Sequence, residues 1–296
     1  HNPFSLNLDP EFEKLNPGLD TSHWSEAASA LLALSTSSDV MEQLTSYIAA
    51  DPKAMAFIHG KPDPWGMTVN PFYKNIKLPV STWPLLDTWV NKTTSNPCLG
   101  SAQTAYMPLV ASPVSNLRIV ATDLLYNWPN VATGCTGTGT QDAPFQLGRV
   151  APQGLGSRFF LGLVTLGDAR RYGLTVASLQ AEQGHYVPPT DAGIKAAVSL
   201  AKQGKNLKPF KLAEKAIRKS KSAYPGTMIV YTAAKTSGLS KATASDVAQF
   251  LRISSTQGQQ PGRGNGQLPQ GYLPITKSGD TKRLYLQARQ VAAAVA

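Results

Sequence analysis

Leu34-Ser-Thr-Ser-Ser38-Asp39-Val40-Met41-Glu-Gln-Leu44-Thr45-Ser46-Tyr47-Ile48 is a polar cluster that opens directly into an apolar repeat. Met41, Leu44, Tyr47 and Ile48 recur at helical spacing, which predicts a helix over 40–50 with Ser38 or Asp39 as its N-cap. The first N–H groups of a helix have no partner within it, and the helix dipole favours negative charge there. Such a start, flanked by hydroxyls, is a natural anion cradle. Ser37, Ser38, Asp39 and Val40 are therefore the candidate ligand-binding residues. Serine and aspartate are also the ordinary capping residues and need no ligand, and the residue types alone favour that plainer role.

Downstream, Asp51-Pro52 reads as the start of a second helix with proline in its first turn, ending near His59-Gly60. Prolines at 62, 64, 71 and 79 then forbid regular structure as far as Val80. The loop carries Trp65, Phe72 and Tyr73, aromatics expected to tuck beneath it and complete the core. Upstream, the segment to about Asp20 has little periodicity and reads as a connecting arm, while 25–34 suits a helix or strand packed inside.

Further on, 156–164 is an apolar run fitting a buried strand, followed by a helix near 167–172 and an exposed turn at Glu182-Gln-Gly184. A helix is expected from Asp191, a strand over Thr227 to Tyr231 and a helix over 246–253. Gly262 to Gly266 reads as a loop, and an alanine-rich helix follows from about Leu284. Strands and helices alternating in this way suggest an α/β architecture.

The chain has 296 residues, enough for one large domain or two lobes. No stretch approaches the roughly 18 apolar residues of a membrane span, and the first residues lack the layout of a signal peptide. Any export signal is expected to lie outside these residues. The net charge of +10 invites a nucleic-acid reading. Much of the excess falls between Lys195 and Lys221, where few aromatics are available to stack on bases, so solvated helix faces and a basic loop are expected there.

Cys98 and Cys135 are the two cysteines. They are too few for structural zinc and too far apart for a C-x-x-C pair, and a single disulfide closing a long polar loop is the natural reading. With abundant Ser, Thr, Gly and Pro, this favours an oxidising, extracellular location. The chain has no G-x-S-x-G elbow and no H-E-x-x-H pair, and its glycines at 262, 264 and 266 lack the strand-to-helix setting of a dinucleotide site. The glycine-rich run 133–140 lacks the lysine of a phosphate loop. Histidines 1, 23, 59 and 185 show no ligand spacing. These observations predict a non-enzyme with no catalytic residues, metal or cofactor.

Several short motifs, in order, resemble those of the phosphate-type extracellular solute-binding proteins that serve ABC importers. They are Leu15-Asn-Pro-Gly-Leu19, Leu44-Thr45-Ser46-Tyr47-Ile48, Gly156-Ser157-Arg-Phe-Phe-Leu-Gly162 and Leu179-Gln180 with Gly184-His-Tyr-Val187-Pro188-Pro-Thr190. The series closes with Ser222-Ala-Tyr224-Pro225, Phe250-Leu251, Gly258-Gln259 and Gly271-Tyr272-Leu273-Pro274. The resemblance implies a two-lobed, type II periplasmic-binding-protein fold with an incomplete first lobe. It implies a connecting arm over 1–20, a second lobe over 21–222 with a loop insertion at 61–146, and a return to the first lobe over 223–296.

With the 44–48 helix in register, Ser38 falls on the family's binding serine, Asp39 on its glycine, Val40 on its threonine and Leu34 on its phosphate-clamping arginine. Losing a bidentate arginine and gaining a carboxylate removes roughly 3–5 kcal/mol of anion affinity, about a hundredfold to a few thousandfold. The resemblance, closest to domains of large Gram-positive surface proteins, therefore implies a module displayed at the cell surface or wall with a degenerate phosphate site and a structural or interaction role. The alternative is a working receptor for phosphate or another small polar solute of an ABC import system. Expected partners are a preceding segment or second polypeptide completing the first lobe, packed near 1–19 and 224–231, and phosphate or an anionic wall polymer. Nucleic acid and a membrane span are not expected.

Overall fold

The computed structural model describes residues 10–17, 30–31, 39–69, 71–81, 97–100, 116–128, 134–149, 151–152, 161–205 and 207–295. The chain divides into two compact units, 1–174 and 175–296, so the boundary expected at 222/223 falls inside the second.

The first unit contains helices α1 (Pro10–Leu15), α2 (Asp39–Ala49), α3 (Pro52–Ile58), α4 (Pro97–Gly100), α5 (Leu117–Leu125) and α6 (Leu166–Tyr172). Its strands are β1 (Ala30–Leu31), β2 (Gly134–Thr136), β3 (Gln146–Gly148) and β4 (Leu161–Gly162). β1 pairs in parallel with β4, and β2 pairs with β3 as an antiparallel hairpin. Of the expected strand over 156–164 the structure describes 161–164, where only Leu161–Gly162 form β4, and of 25–34 it describes 30–31, which are the strand β1. α5 lies close on β4: a methyl group at Gly162 would come within 2.9 Å of Val120 Cγ1, so the position takes glycine for close approach.

Local signals set the helix starts. Asp51 caps α3 by accepting the backbone N–H groups of Lys53 and Ala54 at 2.8 and 3.0 Å, with Pro52 in the first turn as expected. Thr165 caps α6 through the N–H of Asp168 at 3.0 Å, moving its start to Leu166. In the proline-rich loop, Asp63 Oδ1 accepts from the N–H groups of Trp65 and Met67 at 2.9 and 2.7 Å. This Asx-type turn holds Trp65 outward, 43% exposed and with Lys14 over its ring, rather than tucked below. Tyr73 is half-buried.

The second unit begins with the hairpin β5 (Leu179–Gln180) and β6 (Tyr186–Val187), whose turn exposes Gln183 and Gly184. There follow α7 (Asp191–Ser199), the hairpin β7 (Lys202–Gln203) and β8 (Phe210–Lys211), α8 (Glu214–Ile217), α9 (Lys241–Ser254) and α10 (Lys282–Val295). One core packs Ala197, Ile217 and Ala223. A second packs Ala248 and Leu251 of α9 with Ala292 and Val295 of α10, the two alanines letting the helices approach closely.

Three expectations here are corrected. The basic stretch is not only helix face and loop, because β7 and β8 pair within it. α9 starts at Lys241 rather than near 246, since Ser240 accepts the N–H of Thr243 at 3.2 Å and caps an extra turn. Thr227 to Tyr231, β-prone in composition, joins no strand ladder. Thr227 is buried and Ile229 half-buried while Met228 is 40% and Val230 77% exposed, so the stretch alternates as a strand would but has no neighbour to form a ladder with.

Candidate functional site at the start of α2

Asp39 is the first residue of α2 and is exposed; Val40 beside it is half-buried, and Met41 is fully buried. Glu42 lies in the same first turn. Two carboxylates in that turn complement the helix dipole themselves and oppose a further negative charge brought to it. Ser37, Ser38 and Leu34 lie outside the described residues, so of the four candidate binding residues the structure places Asp39 and Val40.

What holds this helix is a threonine four residues from its buried methionine. Thr45 is fully buried, and its Oγ1 accepts the backbone N–H of Val80 at 2.9 Å. Its single hydroxyl hydrogen has Met41 O at 2.6 Å and Val80 O at 3.0 Å within reach. Thr45 belongs to the Leu-Thr-x-Tyr-Ile motif, and its structural task is to fasten α2 to the end of the proline-rich loop.

Two further clusters in this unit escaped the sequence reading. Arg149 donates to Asp123 Oδ1 at 2.6 Å and to the carbonyl of Trp128, while its guanidinium lies 4.0 Å from the centre of the Trp128 ring. Asp123 is buried, its Oδ2 has no hydrogen-bond partner, and desolvation pushes its pKa above the ordinary carboxylate value against the lowering effect of Arg149. Arg118 Nε donates to Asp168 Oδ1 at 3.2 Å, and Thr165 Oγ1 donates to Asp168 Oδ2 at 3.0 Å, which ties α5 to α6. In both clusters the partners are separated by 26 and 50 residues, and no local pattern announces them.

Cys98 of α4 and Cys135 of β2 are paired in a disulfide, as expected. Among the described residues no group of three or more His, Cys, Asp or Glu side chains could hold a metal ion. His59 Nδ1 lies 3.0 Å from Asn75 Oδ1 across the proline-rich loop, and His185 lies 3.3 Å from Glu182 within one turn. No helix among the described residues is long and apolar enough to cross a membrane.

Comparison with protein-family models, characterised proteins and solved structures finds no match for the chain.

Proposed function

We propose that this chain is a non-enzymatic, extracellular surface module of the phosphate-type solute-binding kind, with the type II periplasmic-binding-protein fold and a degenerate anion site. The observation that carries the reading is the exposed Asp39 at the first position of α2, with Glu42 in the same turn. A carboxylate there occupies the place where an anion would meet the helix dipole, and it repels a phosphate dianion. The disulfide supports an oxidising compartment.

The exposed side chains of Met228, Val230 and Tyr231, on a stretch outside any ladder, support a further segment or a second polypeptide pairing there. The role of the module is then to hold a partner rather than to carry a solute.

The test is a calorimetric titration with inorganic phosphate at low and at physiological salt, on a sample that includes any segment completing the fold. No saturable heat is expected. Micromolar binding abolished by Asp39→Ala would overturn the degenerate-site reading in favour of a working receptor.

A further inference from the structure

The stretch 192–213 holds Lys195, Lys202, Lys205, Lys208 and Lys211 and no acidic residue. β7 and β8 fold part of it into an antiparallel hairpin in which Lys202 stands directly opposite Lys211, and Gln203 opposite Phe210. Side chains alternate across a strand, so Lys202 and Lys211 share the face turned away from buried Phe210. Like charges directly opposite one another weaken strand pairing. The connecting turn adds Lys205 and Lys208, and all four lysines are exposed. Among the described residues no ion pair neutralises Lys202, Lys205 or Lys208. Leu207, between the last two, takes a φ of +61°, a left-handed conformation costly for a branched side chain.

The hairpin keeps this arrangement because it is braced from behind. Arg283 of α10 donates to Ser199 O at 2.8 Å and lies 5.2 Å from the centre of the Phe210 ring. Gln287, one turn further along α10, donates to Lys208 O and, at 3.3 Å, to Leu207 O. The Tyr231 hydroxyl donates to Phe210 O at 2.6 Å. A small hairpin thus presents four exposed lysines beside a left-handed Leu207, while long-range ties fix its lysine face. A fixed, exposed face of one charge favours a ligand of the opposite charge.

We propose that the β7–β8 hairpin is a docking face for a flexible polyanion whose charge lies on a repeating phosphate backbone. The hairpin's own aromatic, Phe210, is buried, and the exposed Tyr231 beside it is one ring where binders of single strands stack successive bases on several, which sets a base-free polymer ahead of nucleic acid. The site lies in the other compact unit from α2 and stands or falls independently of the anion cradle.

The probe is end-labelled linear inorganic polyphosphate, titrated against the full chain by fluorescence anisotropy. With four lysines engaged, raising salt from about 50 to 200 mM is expected to weaken binding about 50-fold, by analogy with single-stranded polyanions. Replacing Lys202, Lys205, Lys208 and Lys211 together by Gln is expected to cost more than about tenfold in affinity at low salt. A charge-matched control, Lys235→Gln, Lys241→Gln, Lys277→Gln and Lys282→Gln, should stay within about twofold of the native chain. Equal loss in both variants would reduce the effect to net charge and overturn the proposal, as would absence of saturable binding at low salt. Tighter binding of duplex DNA of matched charge through the same lysines would overturn the choice of a base-free partner. Circular dichroism checks that the quadruple variant folds; should it not, Lys205→Gln with Lys208→Gln in the turn, expected to lose about threefold, decides the matter alone.

Discussion

The two compact units are held by different kinds of contact. In the first, the defining ties join residues far apart in sequence: Thr45 to Val80 across 35 positions, Asp123 to Arg149 across 26, Arg118 to Asp168 across 50 and Cys98 to Cys135 across 37. In the second, α7 and α9 are capped by Thr190 and Ser240, and alanine-rich helix faces pack on one another. Its long-range ties, from Arg283 to the end of α7 and from Gln287 to the turn of the β7–β8 hairpin, run to backbone carbonyls. The first unit therefore depends on a few specific side chains, and the second spreads its stability over many small contacts. Single substitutions should expose that asymmetry.

The largest effect is expected at the disulfide. Replacing Cys98 and Cys135 by serine releases a closure of 37 residues, worth about 4 kcal/mol in the chain-entropy account. Hydrogen exchange followed by peptide should show the loss of protection in the first unit, over α4, β2 and β3. Equal loss over α9 and α10 would break the comparison, because it would mean that the two units share one cooperative transition.

Arg149→Ala comes next, at about 2–4 kcal/mol, since it strands a buried carboxylate that already has one unpartnered oxygen. Its pH dependence sharpens the point. The folded-state pKa of Asp123 is raised, so the folded state holds a proton that the unfolded state releases, and stability from this group falls as pH rises from the ordinary carboxylate value of 3.8 through the raised one. Removing Arg149 takes away what lowers that pKa and raises it further. The deficit of the variant, read from urea melts across pH, should therefore shrink as pH falls into the carboxylate range. A deficit independent of pH would assign the loss to packing on Trp128 instead.

Thr45→Val keeps the shape of the side chain but removes the hydroxyl, leaving the Val80 N–H without its acceptor, at a cost of about 1–3 kcal/mol. Protection should fall at 78–81 and along α2. A change below about 0.5 kcal/mol would show that water replaces the hydroxyl at low cost.

The same asymmetry governs what could be read from the sequence. Met41, Leu44, Tyr47 and Ile48 announced α2, and Asp51-Pro52 announced α3, because periodicity and capping are local. Thr165 and Ser240 were available as caps and would have placed the starts of α6 and α9 more closely. The β7–β8 pairing was hidden because lysine is a poor strand former, and the hairpin is held by α10, some 80 residues away. Thr227 to Tyr231 shows the converse: strand propensity without a neighbour yields no strand. At the candidate site the helix start was legible, whereas its attachment through Thr45 and the Asp123–Arg149–Trp128 cluster were not, since burial and pairing across long loops leave no periodic trace.

The smallest effect has the opposite sign and tests the second unit. Lys202→Glu replaces the like-charge pair with Lys211 by an opposite-charge pair on the same exposed face, and should stabilise the hairpin by about 0.2–1 kcal/mol. The gain should appear as increased protection over 202–211 and should fade with added salt, because both groups are solvated. It should come with weaker polyphosphate binding, since the substitution removes one of the four lysines and adds a repelling carboxylate. A variant that is both more stable and a weaker binder would mean the native lysine pair trades local stability for its charge face. Unchanged stability would mean the turn and the α10 braces already relieve the repulsion, and the hairpin's cost would then reside in Leu207 alone.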